Sequence, residues 1–294
     1  MTQQSSIAPP DSPMIDTIII GGGAAGMTAA LVLARARRSV IVADDHSYRN
    51  VTVDEFHGFP GRDATSPADF RADTRRELDS YGVTTITSTV TDAHSNPDHV
   101  AITFADGAVV RARTAVIATG VHDELPPIDG LATRWGKSAF NCPFCDGWEY
   151  RDLPVAVIDA APGAEHLATM LRSWTTDVTI IDADDIAALT GPGTTLEAIE
   201  LRDGTSIPVA AVFVRAPMSP RSAAARQLGC TVDDEGYIVT DDTCATSQPT
   251  VWAAGDIRRP PPTPHQVVLA AADGSTAAIS IHKALIAISA TGAH

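Results

Sequence analysis

The fold is decided by Ile18-Ile19-Ile20-Gly21-Gly22-Gly23-Ala24-Ala25-Gly26. A run from Met14 to Ile20 that ends in β-branched residues suits a buried parallel strand, and it passes without a linker into the spacing G-x-G-x-x-G. Gly21 permits a tight turn, Gly23 lets backbone approach a pyrophosphate, and Gly26 allows helix to pack closely on strand. The next residues, MTAALVLARARR (27–38), read as a helix with a basic end, and SVIVA (39–43) as a second strand ending at Asp44. An acid there can accept hydrogen bonds from ribose hydroxyls, while amides at the helix N-terminus face phosphates. A lone glycine motif is weak, but strand, helix and acid in register predict a dinucleotide site.

Working outward, PADFRADTRRELDSY (67–81) predicts an amphipathic helix, and residues 83–114 a series of short strands with a turn at Ala105-Asp106-Gly107. A second strand–helix–strand unit opens at Pro154, with PVAVID, a helix over 164–174, and then DVTIID. IPVAAVFV and GYIVT read as further strands. The tail returns to Val251–Asp256, a proline-rich loop over Arg259–Pro264, and a helix over 266–288. Two such units in 294 residues predict an α/β protein of two Rossmann-like, three-layer domains. The expected boundaries are 14–121 together with 249–294 for a discontinuous dinucleotide domain, and 122–248 for the second. Residues 1–13 lack the basic and apolar regions of a signal peptide and read as a disordered leader.

Composition narrows the partners. The formal charge of −15, from 36 acidic and 21 basic residues with no basic cluster, repels phosphate backbones and anionic membranes. Nucleic acid is therefore not an expected partner. No stretch reaches the roughly 20 apolar residues of a membrane span, so a cytoplasmic protein is expected.

Four cysteines in so long a chain do not make a secreted disulfide framework. Two of them stand in Asn141-Cys142-Pro143-Phe144-Cys145-Asp146-Gly147. A C-x-x-C pair can close a small disulfide loop, and its second thiol can displace a mixed disulfide made by the first. A helix starting here would favour thiolate, and Asp146 is placed to handle a proton as a thiolate leaves. Zinc normally takes four ligands, and Cys230 and Cys244 form no second close pair. A redox pair is the favoured reading, ahead of a metal site or two packed structural cysteines. Cys230 and Cys244 are read as structural.

Two further small-residue turns carry a resemblance. Ala118-Thr119-Gly120 after a strand, and Ala254-Gly255-Asp256 near the C-terminus, resemble the later FAD motifs of two-dinucleotide flavoproteins. The order of all these segments resembles the low-molecular-weight thioredoxin reductases over nearly the whole chain. That resemblance implies FAD as cofactor, Cys145 against the flavin, Cys142 exchanging with substrate and Asp146 as acid/base. It also implies cofactor contacts from Gly21, Gly23, Ala24, Ala25, Gly26, Asp44, Asn50, His57, Ala118, Thr119, Gly120, Gly255, Asp256, Gln266 and Val267, and a homodimer. His265, at the opening of the last helix, is a candidate substrate contact or base. Arg49-Asn50, His57-Gly58-Phe59, Arg62-Asp63 and Gly147-Trp148-Glu149 are similar to a narrower branch, the FAD-dependent dithiol oxidases that close disulfides in compounds such as gliotoxin and holomycin. Some members of that branch carry histidine after the second cysteine; here the residue is Asp146.

Thioredoxin reductases hold NADPH on a second glycine turn. The corresponding residues here are Asp159-Ala160-Ala161-Pro162-Gly163-Ala164, with both leading glycines gone and Pro162 lacking an amide donor. The next strand ends in Asp182-Ala183-Asp184-Asp185, acids that repel a 2′-phosphate. No productive NAD(P)H site is expected. Electrons would then come from a substrate dithiol through Cys142 and Cys145, with FAD and molecular oxygen downstream. A small-molecule dithiol or disulfide and a thioredoxin-like protein are both candidate partners. The competing readings are an NADPH-dependent thioredoxin reductase, a reductase fed by a protein electron donor, and a non-catalytic redox-sensing flavoprotein.

Overall fold

The computed structural model describes residues 14–291, with side chains to Ile288. The expected leader at 1–13 lies outside the described residues. The chain divides into two compact units, each described by itself. The first gathers the chain up to Tyr48, Asp69–His122 and the chain from Ser219 onward; the second gathers Arg49–Ala68 and Asp123–Met218.

The first unit is built on β1 (Ile15–Ile20), α1 (Ala24–Arg35) and β2 (Val40–Ala43). β1 pairs in parallel with β2 on one side and with strand Val109–Ile117 on the other, in register at Ile18↔Ile41 and Ile18↔Ala115. Strand Thr84–Ile86 extends the sheet beyond β2. Strand Val109–Ile117 is long enough to pair with two neighbours on its far edge. Its first half meets the antiparallel strand Val100–Phe104, and its last half meets the parallel strand Val251–Ala253. Because side chains alternate across a strand, Ile19, Val42, Val116 and Trp252 pack under α1 and the last helix, Val267–Thr291. Ile18, Ile20, Ile117 and Val251 face the opposite layer.

α2 (Pro67–Ser80) matches its predicted span almost to the residue. Gly274, inside the last helix, allows that helix to lie against α1: a Cβ there would sit 2.1 Å from the Ala25 carbonyl oxygen.

The second unit has a four-stranded parallel sheet in the order Val178–Asp182, Val155–Asp159, Ala211–Val214, Ala139–Phe140. Helix Ala164–Leu171 covers one face through Leu167 and Leu171. A three-stranded antiparallel meander, Ile186–Thr190, Ala198–Leu201 and Ser206–Pro208, packs Ile186, Leu189 and Ile199 on the other face.

Several expectations are corrected. IPVAAVFV is two strands in two sheets, divided after Pro208, which has no amide to continue a ladder. GYIVT forms only isolated bridges, Val232↔Ile238 and Thr240↔Thr246. The helix expected over 164–174 ends at Leu171. The compact units also divide the chain differently from the expected boundaries. Residues 219–248 join the first unit because Ala224, Ala225, Leu228 and Ile238 fill the core beneath Ile18, Ile102 and Phe104. Residues 49–68 join the second, where Arg49 pairs with Asp123 and Lys137 with Asp54.

Candidate functional site

The dinucleotide cradle lies in the first unit. β1 stops at Ile20 and α1 starts at Ala24, so three glycines make the whole turn. The first intrahelical bond runs from Met27 N to Gly23 O at 2.9 Å. The preceding amides, of Ala24, Ala25 and Gly26, therefore lead out of the helix as donors, as expected of a first turn. Each glycine has its own reason. At Gly21, with φ +111°, a Cβ would meet the Ala118 carbonyl oxygen at 2.3 Å; at Gly26 it would meet Gly21 O at 1.9 Å. At Gly23 a Cβ would find no protein atom within 4 Å. Gly22 is packed as well, since a Cβ there would meet the Asp44 carboxylate at 2.2 Å, so of the four glycines only Gly23 opens on space. This is the fit expected of a backbone that a pyrophosphate must approach, and it suits FAD.

Asp44 stands at the end of β2 as expected, but its surroundings were not foreseen. Its buried carboxylate accepts from the His46 amide at 3.0 Å, from Arg75 at 2.8 Å and from the Tyr48 hydroxyl. Arg75 also donates to the Tyr48 oxygen at 2.5 Å, and the Arg71 guanidinium lies 4.0 Å from the Tyr48 ring centre. Burial, first, and the bond to Asp44 hold the Tyr48 hydroxyl above its ordinary pKa.

Ala118-Thr119-Gly120 follows its strand directly, with Thr119 Oγ1 donating to Arg221 O at 2.8 Å and Gly120 at φ +66° with open space beside it. Gly255, at φ +83°, donates its amide to the Asp273 carboxylate at 3.2 Å. Asp273, buried in the last helix, also takes a bidentate bond from Arg259, at 2.7 and 2.8 Å, and one from Arg258 at 3.2 Å. It thereby fixes the turn that presents Asp256. Sequence reasoning missed it; an acid beside a glycine inside AAADGSTAAIS was the available signal.

His265 is almost buried, with Nε2 2.7 Å from Arg259 O and Nδ1 3.9 Å from Asp256. Gln266 and Val267 open the last helix, where Ala270 N bonds to Gln266 O.

The redox pair lies in the second unit. Cys142 and Cys145 are bridged, with Cα atoms 5.3 Å apart. Cys142 caps a four-residue helix, Pro143–Asp146. One turn carries little dipole, so thiolate stabilisation here rests on local amides rather than a long helix.

Asp146 is partly buried at the end of that turn, and its carboxyl is pushed up to about 7 by burial, first, and then by the Glu149 charge, with His57 pulling the other way. His57 belongs to this unit, with Nε2 3.7 Å from Glu149 and Nδ1 3.6 Å from Asp63. Asn50 lies in the same unit, beside the Arg49–Asp123 pair. Arg49 grips Asp123 at 2.6 and 2.8 Å, and Asn141, next to Cys142, reaches Asp123 at 3.5 Å.

Phe144, inside the loop closed by the disulfide, and Trp148, three residues beyond it, are 65% and 63% exposed, well above the usual state of such side chains. Phe144 meets Trp174 edge-on at 5.4 Å, and the Arg151 guanidinium lies over Trp148. Cys230 and Cys244 are buried, unbridged thiols, and burial pushes the Cys244 thiol up to about 11.

The second turn differs from the first. Four residues, not three, separate the end of its strand at Asp159 from its helix at Ala164. Its cap, Gly163, is left-handed at φ +110°, and a Cβ there would meet the Arg215 guanidinium at 2.7 Å. Asp182, Asp184 and Asp185 are exposed at the end of the neighbouring strand, with Asp182 accepting from the Asp184 amide. Among the described residues, no helix is long and apolar enough to cross a membrane.

Comparison with known proteins agrees with this geometry. The pyridine nucleotide-disulphide oxidoreductase model matches residues 15–192 and 185–274. Thioredoxin reductase tcpT of Claviceps purpurea (strain 20.1) is 31% identical over 283 residues, covering 83% of this chain and 87% of its own. The crystal structure of HlmI superimposes with a TM-score of 0.90 at 33% identity, covering 95% of both chains. That of an oxidoreductase from Agrobacterium tumefaciens gives 0.85 at 32%, covering 93% of this chain and 99% of the other. The chain belongs to the pyridine nucleotide-disulphide oxidoreductase family and is a thioredoxin reductase-like flavoprotein acting on sulfur groups.

Proposed function

We propose that this family member runs its chemistry from thiol to disulfide: a small dithiol is oxidised at Cys142–Cys145, with molecular oxygen as the final acceptor of the electron pair. The observation that carries the reading is the contrast between the two turns. Gly23 opens on free space at a three-residue turn, whereas the second turn is one residue longer and lacks the Pro162 amide. The acids at 182, 184 and 185 oppose a ribose phosphate as well. A flavin without a nicotinamide donor needs another reductant, and a dithiol supplies two electrons to a disulfide directly.

The turn at Gly21–Gly26, with Asp44, Thr119, Gly120, Gly255 and Asp256, would hold FAD. When bound, FAD accepts two electrons from a reduced cysteine pair and gives them to oxygen.

The protein's own groups manage sulfur and protons. Cys142 takes the substrate thiolate as a mixed disulfide, and Cys145 leaves. Asp146 as base removes the substrate proton. Moving a proton from a thiol of pKa about 8.5 to an ordinary aspartate is uphill by about 6 kcal/mol, whereas to a group near 7 it is uphill by about 2 kcal/mol. Phe144 and Trp148 offer an apolar face beside the disulfide. Such a face suits an apolar small-molecule dithiol.

The names of the relatives favour a second reading, an NADPH-dependent thioredoxin reductase. An oxygen electrode separates the two. The proposal expects one oxygen consumed and one peroxide formed per dithiol, with no nicotinamide cofactor present. Turnover that starts only with NADPH and a disulfide substrate would establish the second reading instead. A homodimer, proposed from the family resemblance, is tested by light scattering of the purified protein.

A further inference from the structure

How strongly two nearby cysteines prefer disulfide over dithiol depends on how firmly the chain holds their sulfurs within bonding reach. The segment carrying Cys142 and Cys145 has slight secondary structure of its own. Strand Ala139–Phe140 is two residues long, Asn141 alone separates it from Cys142, and the helix that follows is the single turn Pro143–Asp146. The Tyr150 hydroxyl donates to Lys137 O at 2.8 Å and ties the ends of the segment together.

We propose that residues 49–57 form a strap that positions the redox pair, with Arg49 as its main positioning residue, acting through Asp123 and Asn141. The inference rests on the reading of Cys142–Cys145 as the pair that a dithiol reduces. Every residue named lies in one compact unit. At the start of the strap the Arg49 guanidinium grips Asp123 at 2.6 and 2.8 Å, and Asn141 Nδ2 reaches the same Asp123 Oδ1 at 3.5 Å. Gly136 then lets the strap lie against the beginning of the redox segment. A Cβ there would stand 2.5 Å from Thr52 Oγ1 and 3.0 Å from Val53 Cγ1. Asp54 pairs with Lys137, and His57 Nε2 faces Glu149 Oε1 at 3.7 Å on the far side of the cysteines. Contacts at 136, 137, 141 and 149 therefore bracket Cys142 and Cys145.

These contacts are unequal. Asp54 is 80% exposed, and an ion pair so open to water holds little. The Asp123 side chain is only 7% exposed and takes both arms of the Arg49 fork, a geometry that fixes direction as well as distance. Asp123 is also the link nearest Cys142, since Asn141 is the preceding residue. The Asn141 contact is long, so its share is that of one ordinary hydrogen bond: about threefold to tenfold in the dithiol–disulfide equilibrium, or about 15–30 mV.

The test reads that equilibrium. Oxidised holoenzyme is brought to equilibrium without oxygen at a series of reduced-to-oxidised dithiothreitol ratios, trapped with iodoacetamide and weighed intact. The two thiols of dithiothreitol become its cyclic disulfide as the Cys142–Cys145 bond opens to two thiols, so electrons and protons balance within the exchange. Arg49→Gln and Asn141→Ala should each shift the midpoint toward dithiol by about threefold to tenfold. The double variant should shift no further than the larger single one, because both act through Asp123. Hydrogen exchange of amides 139–147 should quicken in Asn141→Ala while that of β1 and α1 stays at the wild-type rate, which a general loss of stability would not produce. Asn141→Ala leaves the Arg49–Asp123 pair intact and decides the matter alone if Arg49→Gln does not fold. A midpoint within twofold of wild type in Asn141→Ala, additive shifts in the double variant, or unchanged exchange over 139–147 overturns the strap. A wild-type pair that no dithiothreitol ratio opens would sink the dithiol reading, and this inference with it.

Discussion

Gly23→Ala and Gly26→Ala differ by one methyl at two places three residues apart, and they should fail in opposite ways. At Gly26 the added Cβ would stand 1.9 Å from Gly21 O and 3.1 Å from Ile19 Cγ2. Backbone cannot swing aside as a side chain can, so α1 must lift from β1. Overpacking of this kind costs about 1–3 kcal/mol, occasionally more, from a total of about 5–15 kcal/mol.

At Gly23 the Cβ meets nothing within 4 Å, and φ is −79°, which any residue adopts. Exchanging Gly for Ala at a helix cap costs up to about 1 kcal/mol. The fold should therefore survive. The cofactor should not, because the methyl occupies the side from which a pyrophosphate approaches the amides; a loss of about 3 kcal/mol is about a hundredfold in affinity.

Urea unfolding of the apoprotein and FAD titration by fluorescence quenching read the two effects separately. Gly26→Ala should unfold at lower urea, and Gly23→Ala should unfold near wild type yet purify colourless. A Gly23→Ala protein that binds FAD as tightly as wild type would refute the assignment of this turn.

Other outcomes follow from the same geometry. Because its carboxyl sits near 7, Asp146 gains its basic form as pH rises through neutrality, so dithiol-driven rates should rise across pH 6–8; Asp146→Asn should flatten that limb and lower the plateau at least tenfold, checked by stopped-flow absorbance. Asp273→Ala leaves Arg258 and Arg259 around an empty place in the fold. Since both arginines keep some contact with water, a loss of about 2–3 kcal/mol is expected from urea melts, and a change under 0.5 would contradict the role given to Asp273. Trp148→Ala should raise KM for an apolar dithiol several-fold with little change in kcat; a fall in kcat alone would remove Trp148 from the substrate face.

Much of this architecture was legible because local chemistry and fold agree. Ile18–Gly26 could be read as strand, turn and helix since each glycine answers a steric demand within a few residues. Most of what was not legible depends on contacts made far along the chain. Nothing near Gly274 announces that it lies against Ala25, and nothing near Ala224 shows that it fills the core under Phe104. IPVAAVFV has a continuous strand pattern, yet its two halves enter different sheets.

The same holds at the candidate site. The cysteine pair and Asp146 are close in sequence and were found together. Family resemblance puts His57 among the cofactor-binding residues, and no local pattern announces that its ring lies beside Asp63 and Glu149, the latter ninety-two residues on. Asp44 was read correctly as an acid at the end of β2. Its partner Arg75 comes from α2, thirty-one residues later.

The central claim is that electrons enter from a dithiol. It is tested most directly by mixing the oxidised holoenzyme, without oxygen, with a dithiol, NADPH or NADH in separate experiments and following flavin absorbance. The account predicts fast bleaching by the dithiol alone, no bleaching in Cys142→Ser, and recovery with peroxide when oxygen is admitted. Fast bleaching by micromolar NADPH, with the dithiol inert, would contradict it.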